Sequence, residues 1–598
     1  MYVDVVPNRS SPPAVLLREG WREGKRVRKR TIANLSSWPA EKVRTLRKLL
    51  RNEPLVSPDE LFTIVRSRPH GHVQLVLSAL RKLKLPALLD RRNSRQRRCV
   101  LAMIAQRLLC PASKLATTRL WHCSTLAEDL DVSDASQEHL YAALDWLLER
   151  QPAIQRRLAR RHLREDAHVL YDVSSSYYEG RCCPLAQFGY NRDGKRGTRS
   201  VVYGLLADRH GRPIAMQAYA GNTSDPSTVP DQVQTLRERF GLQRLVLVGD
   251  RGMLTAARIR DLRRHPGLGW ISALRHHDLR RLVKHGCLQP SLFDERNLAT
   301  IRSPLFPAEQ LVVCCNPLLA ARRRTRRERL LKATEEGLGR IQREVQRRTK
   351  KLLTKDRIGV KVGRAVDRHK MAKHFRMTIE DNLLEYSRDA ESIERERQLD
   401  GLYIVRTSQT EMEPEEAVRS YKQLTRVEQA FRCLQSVDLH VRPIHHRKEE
   451  RVRAHLLLCM LAYYVEWHLR VALAELLYQH EDLEGWQAER DAVQAAKAPQ
   501  ELRRKKSRGS SEGGLPLHSF KTLMAEMGTR ARNECRVSRD PAGPLVTRVT
   551  EATELQQRVF ELWRVFPVQN TATESGKGAR EGAGEGSEGL AAEGGGGS

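Results

Sequence analysis

The sequence contains no Cys-x-x-Cys pair and no apolar run long enough to cross a bilayer. Its 11 cysteines are scattered, so we expect reduced thiols and no structural zinc site of the usual spacing. The longest apolar stretch, Leu456 to Val465, is about half the length of a membrane span. The first residues also lack the charged region and apolar run of a signal peptide. These absences predict a soluble protein of the cytoplasm with no membrane partner.

Acidic residues are too few to balance the basic ones. Lys and Arg number 105 against 72 Asp and Glu, which gives a formal net charge of +33. A surplus this large attracts polyanions and suits a long phosphate backbone. Ribosomal and membrane-surface proteins are basic too, so charge favours a nucleic-acid partner without deciding the question.

At 598 residues the chain is too long for one core, and about three to five domains or subdomains are expected. Changes in sequence texture predict these regions: a basic N-terminal segment (1–70), a helical DNA-binding domain (71–165), the first part of an α/β domain (166–275), an insertion domain (276–413), the second part of the α/β domain (414–480), a C-terminal region (481–569) and a disordered tail (570–598). The tail is rich in Gly, Glu and Ala with almost no apolar content, which is typical of disorder.

Periodicity predicts the main elements. Two runs near the N-terminus, 14–21 and 25–32, flank Glu23 and Gly24 and predict a basic β-hairpin that either lies on DNA or forms a solvated edge. Three consecutive strands beginning near residues 168, 200 and 213, then strands over 245–249 and 270–274 alternating with helices, predict a mixed α/β sheet. Further predicted elements are strands near 299–301, 311–313 and 403–405, a very basic helix over about 319–351, helices over about 415–436 and 448–478, and a linker over 500–515.

Three acidic residues stand out by position. Asp172 lies within the first predicted strand, where a buried carboxylate is costly unless something binds it. Asp250 ends the apolar strand 245–249, at the edge where α/β sheets place ligands. Glu428 lies within a helix and, taken alone, reads as a surface residue, just as each Asp alone reads as a turn cap or an ion-pair partner.

As a set, the three carboxylates predict a metal site. Two Asp on neighbouring strands and one Glu from a covering helix can hold two divalent cations about 4 Å apart. Mg²⁺ prefers such oxygen ligands, with Mn²⁺ as the alternative ion. That arrangement serves phosphodiester hydrolysis and strand transfer alike.

Five stretches carry a resemblance to a known family. They are 171–180 (YDVSSSYYEG), 190–197 (YNRDGKRG), 221–225 (GNTSD), 248–253 (VGDRGM) and 420–432 (SYKQLTRVEQAFR). They resemble the DDE transposases of bacterial insertion sequences, most closely the group with a Tyr-x2-Arg-x3-Glu-x6-Lys signature on the last catalytic helix. The resemblance runs from about 70 to 480 in the expected order. It implies a ribonuclease-H-like mixed-sheet catalytic core with a helical N-terminal domain. It also implies that an insertion domain interrupts the core before the helix that carries Glu428, here called the Glu helix. The insertion predicted at 276–413 falls at that point.

The sequence departs from this signature at two positions. Tyr421 and Glu428 match, but Leu424 stands where the Arg is expected and Gln435 where the Lys is expected. At about 100° per helical residue, Tyr421 lies roughly 20° and Arg432 roughly 40° from Glu428 around the axis, whereas Arg426 lies roughly 160° away. We therefore expect Arg432, and not Arg426, to supply a phosphate contact near the metals.

Other residues are expected to meet DNA. Tyr421 would pack against or hydrogen-bond the transposon end, or simply pack in the core. The basic turn with Arg192, Lys195 and Arg196 would meet backbone phosphate, or be solvated. Arg251 would orient Asp250 or touch phosphate. The arginine cluster 322–327 in the insertion domain would clamp DNA or form a solvated helix.

The sequence therefore predicts an enzyme that binds the terminal inverted repeats of its own element as a homo-oligomer, cuts the ends and joins them to target DNA, in association with chromosomal DNA. Two alternatives remain open. One is a catalytically decayed DNA-binding remnant, marked by Leu424 and Gln435. The other is a ribonuclease-H-fold nuclease that cuts without joining.

Overall fold

The computed structural model describes residues 1–9, 11–53, 62–285, 297–348, 350–483, 485–486, 491–493, 499–537 and 543–567. The tail predicted to be disordered, 570–598, lies outside the described residues. The chain divides into two compact units. The first comprises Met1–His70 with Arg530–Glu551, and the second comprises Gly71–Thr529 with Ala552–Ser598.

The secondary-structure elements are numbered here in chain order. The strands are β1 (Tyr2–Val6), β2 (Ala14–Glu23), β3 (Arg26–Asn34), β4 (Phe62–Pro69), β5 (Ala167–Tyr177), β6 (Ser200–Asp208), β7 (Pro213–Ala220), β8 (Leu245–Gly249), β9 (Leu268–Ala273), β10 (Leu298–Ile301), β11 (Gln310–Cys315), β12 (Phe375–Glu380), β13 (Leu383–Arg388), β14 (Leu402–Thr407), β15 (Ala531–Val537) and β16 (Val546–Val549). The helices are α1 (Ala40–Leu50), α2 (Gly71–Lys82), α3 (Leu85–Leu89), α4 (Arg95–Leu109), α5 (Lys114–Leu120), α6 (Leu126–Asp129), α7 (Gln137–Glu149), α8 (Gln151–His162), α9 (Asp225–Gln234), α10 (Ala256–Leu262), α11 (His276–Lys284), α12 (Pro317–Arg347), α13 (Lys355–His369), α14 (Ala390–Arg397), α15 (Pro414–Lys422), α16 (Leu424–Arg432), α17 (Glu449–Ala472), α18 (Gln500–Arg508), α19 (Phe520–Gly528) and α20 (Glu554–Val565).

The first unit contains two small antiparallel sheets. The predicted basic hairpin is confirmed: β2 pairs with β3 around Gly24, whose positive φ of 59° suits a glycine in the turn, and β1 adds a third strand. In the other sheet β15 pairs with β4 on one side and β16 on the other. Because β4 and β15 lie more than 450 residues apart in sequence, no local pattern reveals their pairing.

The second unit is built on an eight-stranded sheet in the order β10-β11-β14-β9-β8-β5-β6-β7. Strands β5, β8 and β9 are parallel, and the other pairs are antiparallel. The five strands predicted between 166 and 275 are all present, so the expected mixed α/β fold is confirmed. Strand β6 is buried along its whole length, which explains its near-continuous apolar sequence.

The segment predicted as an insertion contributes strands to this same sheet. Strand β14 pairs with β9, β11 with β14 and β10 with β11, all antiparallel. Between β11 and β14 the chain forms α12, α13, the hairpin β12–β13 and α14. This helical module has its own hydrophobic core, which includes Leu331, Leu338, Val362, Phe375 and Leu384.

Helices cover the sheet and form the region that precedes it. Helix α17 is buried almost throughout and packs on β7, α4 and α7. A helix that is apolar on all sides belongs in the interior. In the described part of the chain, no single helix combines the length and the apolar content of a membrane span; the bent pair Arg95–Leu109 and Lys114–Cys123 reaches both only when taken together.

Two predicted elements differ in the structure. Residues 500–515 were expected to be a linker, but α18 occupies Gln500–Arg508, which contains no Gly or Pro and ends at Gly509 with a positive φ of 69°. That glycine conformation terminates helices well. The helix expected over 415–436 is broken at Gln423 into α15 and α16, and it continues as a π-helical turn over Cys433–Val437.

Candidate active site

The register of two parallel strands brings Asp172 and Asp250 together. Tyr171 of β5 pairs with Gly249, the last residue of β8. The next residue on each strand is therefore Asp172 and Asp250, side by side at a strand spacing of about 4.8 Å. Both carboxylates are half-buried. Pairing through an interior apolar strand thus converts two acids 78 positions apart into neighbours.

Three hydrogen bonds orient the two carboxylates. The Val173 amide donates to Oδ1 of Asp172 at 2.8 Å, and the Gly252 amide donates to Oδ2 of Asp250 at 3.2 Å. The Tyr421 hydroxyl donates to Oδ1 of Asp250 at 3.3 Å. Each carboxylate keeps lone pairs for further ligands, since a carboxylate accepts about four hydrogen bonds or metal bonds.

Glu428 reaches the site from α16, which packs on β5. Leu424, Val427, Ala430 and Phe431 form the buried stripe of this helix, and the Phe431 ring meets the Tyr203 ring edge-on at 5.8 Å between centroids. Glu428 lies outside that stripe and is exposed. Because the buried stripe packs on β5, Glu428 beside it lies toward the edge of the sheet.

The three carboxylates are close enough to influence one another electrostatically. The pKa of Asp172 is raised to about 7, first by burial and then by the carboxylates of Asp250 and Glu428, while the Val173 amide and the Arg192 guanidinium lower it. In the described part of the chain, none of the three carboxylates forms an ion pair. Uncompensated negative charge of this kind favours a cation.

The spacing of the site differs from that of a single-ion cage. Among the described residues, the one group of three His, Cys, Asp or Glu side chains with all ligand atoms within 4.8 Å of one another is Cys433, Asp438 and Glu466. Arg470 donates to Asp438 at 2.7 Å and to Glu466 at 2.6 Å, so that group is an internal ion-pair network. The three catalytic candidates are spread more widely, as ligands shared between two ions are.

Both departures from the family signature have structural roles. Leu424 is buried in the core. The Gln435 amide donates to Ser174 Oγ at 2.7 Å, to Tyr203 Oη at 3.0 Å and to the Ser175 carbonyl at 3.3 Å. Gln435 therefore ties the turn after the Glu helix to β5, the strand that carries Asp172.

The predicted DNA-contacting residues lie in different environments. Arg192 holds Asp225 through two contacts of 2.5 Å, so its guanidinium is occupied within the protein. Lys195 is exposed and stands 3.5 Å over the Tyr177 ring. The exposed side chains of Arg196, Arg251 and Arg432 form no ion pair with another described residue.

Two further residues fasten the basic turn, and the sequence reasoning missed them. Asp193 accepts a hydrogen bond from the Tyr177 amide at 2.8 Å and pairs with Arg442. The position of Asp193 within a run of basic residues could have predicted that its carboxylate pairs with one of the cations of the protein. Its partner, about 250 positions away in sequence, could not have been chosen from the sequence alone.

The side chain of Arg426 is held within the protein. Its guanidinium donates to the Arg209 carbonyl at 2.8 Å, and its side chain lies against Gly211. This contact fastens α16 to the turn between β6 and β7.

Comparison with known proteins identifies the family. The chain matches the family model of the transposase DDE domain over residues 168–465. It also matches the N-terminal domain of IS1634 family transposases over residues 3–56. Together the two matches cover more than half of the chain. The chain belongs to the DDE transposases of insertion sequences.

Other comparisons add little to this assignment. The transposase is similar to a piggyBac transposase synaptic complex with hairpin DNA, solved by cryo-EM, with 12% identity, 82% of this chain and 74% of that chain covered, and a TM-score of 0.30. A TM-score this low does not establish a shared fold. No curated protein sequence matches the transposase.

The general activity of the family applies to this protein. The transposase is a DNA-binding enzyme that cuts and joins DNA, and divalent metal ions are typical of its family. The described site fits such ions, because its donors are three carboxylates that form no ion pair with another described residue.

Proposed function

We propose that the transposase uses DDE-type catalysis, with Asp172, Asp250 and Glu428 as the ligands of two Mg²⁺ ions, to cut the terminal inverted repeats of its element and join them to target DNA on the chromosome. The observation that carries the proposal is the register that sets Asp172 beside Asp250, with Glu428 close enough to raise the pKa of Asp172. Two divalent ions in such a site supply Lewis acids for the attacking oxygen and for the leaving oxygen of a phosphodiester.

The protein's own groups prepare the site. The amides of Val173 and Gly252 and the Tyr421 hydroxyl hold the Asp carboxylates in fixed orientations. Gln435 holds the end of the Glu helix against β5. Fixed ligands reduce the reorganisation that the transition state requires.

DNA would approach across the exposed edge of this site. Exposed Arg251, Arg432, Lys195 and Arg196 are free to neutralise phosphates. Arg192 would act indirectly, since its ion pair with Asp225 shapes the basic turn, and Tyr421 would orient Asp250 as well as border the DNA. Assembly as a homo-oligomer on paired transposon ends is part of the proposal.

The test is cleavage of a labelled transposon-end duplex in Mg²⁺, comparing wild type with Glu428→Gln and with the neighbouring exposed Gln429→Ala as a matched control. We expect wild type and the control to cut and join, and Glu428→Gln to bind the duplex without cutting it, a loss of at least about 100-fold in rate. Equal cleavage by Glu428→Gln would exclude the assignment.

The same assay separates the alternative functions. Binding without cleavage by the wild type identifies a decayed DNA-binding protein. Cleavage without joining identifies a nuclease. The buried Leu424 and the hydrogen-bonded Gln435 argue against decay, because both residues serve the local structure.

A further inference from the structure

Six arginines lie in line on the solvent-exposed face of α12, three in the first half of the helix and three in the second. Six exposed residues form this arginine row: Arg322, Arg326, Arg329, Arg340, Arg343 and Arg347. At about 100° per residue they lie within an arc of about 100°, and at about 1.5 Å per residue the row is about 38 Å long. The buried face, with Leu331, Leu338 and Val345, lies roughly on the opposite side of the helix.

The acidic residues of α12 do not neutralise the row. Glu335 and Glu328 bind Arg388 at 2.6 and 2.8 Å, and Glu344 binds Lys361 at 2.6 Å. Glu336 lies within the arc and Glu344 lies at its edge. No arginine of the row forms an ion pair with another described residue. Arg327, by contrast, belongs to the buried side and holds Asp400 through two contacts of 3.0 and 2.5 Å.

This pattern of like charges does not stabilise a solvent-exposed helix. Like charges three or four residues apart, such as Arg322 with Arg326 and Arg343 with Arg347, destabilise a helix by about 0.2–0.5 kcal/mol per pair. A mixed row of Glu and Arg would stabilise the helix instead. The row therefore favours a polyanionic partner that relieves the repulsion.

Helix α13 extends the basic surface. Glu344 with Lys361, and Gly337 facing Ala365, mark the seam between α12 and α13. Exposed Arg357, Arg364 and Arg368 lie on the solvent side of that seam, away from the buried Ile358, Val362 and Val366. Both helices thus present exposed arginines beside this seam.

We propose that the arginine row binds the backbone of duplex DNA without reading its sequence, as a second DNA surface separate from the carboxylate site. The row is about as long as one turn of B-DNA, 34–36 Å. Guanidinium groups bind phosphate oxygens bidentately. The choice of DNA as the partner rests on the proposed function. The geometry and the charge of the row are observed independently of that function.

The experiment measures the salt dependence of binding. Full-length protein carrying Arg322→Gln, Arg340→Gln and Arg347→Gln is compared with wild type on a labelled duplex of arbitrary sequence, about 30 bp long, without divalent ions. Each lost phosphate contact reduces the slope of log K against log salt by about 0.9. We expect a slope smaller by about 2 to 3 and at least about tenfold weaker binding at moderate salt. Gln keeps the helix intact because its helix propensity is close to that of Arg.

A matched control removes the same charge elsewhere. Arg160, Arg164 and Arg239 are exposed, form no ion pair with another described residue, and lie before the amino ends of β5 and β8, at the sheet edge opposite Asp172 and Asp250. Their triple Gln variant should keep the wild-type slope within about one unit. A Lys triple in the row should keep it too, since charge is retained.

Two outcomes would overturn the proposal: an unchanged slope in the row variant, or equal losses in the row and control variants. If the row variant fails to fold by circular dichroism, the α13 variant with Arg357, Arg364 and Arg368 changed to Gln gives the same test, with an expected loss of slope of at least about 1. Failure of the proposed function is distinguishable, because Glu428→Gln abolishes cleavage while leaving the slope intact. The row variant should still cleave end DNA at saturating concentration.

Discussion

The hydroxyl of Tyr421 donates a hydrogen bond to Oδ1 of Asp250 at 3.3 Å. Tyr421 belongs to α15, the helix that precedes the Glu helix, whereas Asp250 follows β8. Burial raises the pKa of the Tyr421 hydroxyl, and the neighbouring Asp250 carboxylate raises it further. The hydroxyl therefore stays protonated at neutral pH and remains a donor.

Replacing Tyr421 with Phe should slow cleavage without weakening DNA binding. The ring keeps its packing, but Asp250 loses an orienting hydrogen bond to a charged acceptor, worth about 1.5–3 kcal/mol. We expect a single-turnover cleavage rate about 10- to 100-fold lower and an unchanged Kd for end DNA. Tyr478→Phe, at a half-exposed tyrosine, is the control. A raised Kd with a normal rate would instead assign Tyr421 to DNA contact.

Gln435 should be needed for stability as well as for activity. In Gln435→Leu, Ser174, Tyr203 and the Ser175 carbonyl lose the amide that donates to them. Leaving buried polar groups unpaired costs about 1–3 kcal/mol, so the free energy of unfolding in urea should fall by that amount and cleavage should fall with it. Gln435→Lys, which restores a donor and the signature residue, should lie closer to wild type. Wild-type stability in the Leu variant would contradict this role.

Buried Lys114 should make stability depend on pH. Burial lowers its pKa to about 7, and Arg107 adds to the effect. Between pH 7 and about 10.5 the unfolded chain binds this proton more tightly than the folded protein does. The contribution of Lys114 to the free energy of unfolding therefore rises with pH across that window and is lowest below pH 7.

The comparison of wild type with Lys114→Met isolates this effect. The variant should be more stable at pH 6, and its advantage should shrink as the pH rises toward 10. Lys332→Met, at an exposed position, should show a constant difference from wild type. Thermal unfolding followed by circular dichroism at each pH gives the measurement. A difference between Lys114→Met and wild type that does not vary with pH would exclude the buried cation as its source.

The sequence by itself determined the elements and the chemical character of the site. The apolar run 245–249 predicted β8 to the residue, because a fully buried strand needs an unbroken apolar sequence. Asp172 and Asp250 stood out for the same reason, since an acid within or directly after such a strand is costly without a ligand. The basic hairpin and the long helix α12 also followed from local patterns.

Only the tertiary structure decided which partners each side chain meets. Arg192 and Arg322 look alike in sequence, yet Arg192 is bound to Asp225 while Arg322 is exposed in the arginine row. Gln435, which looked like the loss of a phosphate ligand, holds β5. Strands β10, β11 and β14, predicted within the insertion, belong to the main sheet. Periodicity reports whether a residue faces the core or solvent, but pairing depends on segments far apart in the chain, and that proximity arises only when the sheet and its helices pack together.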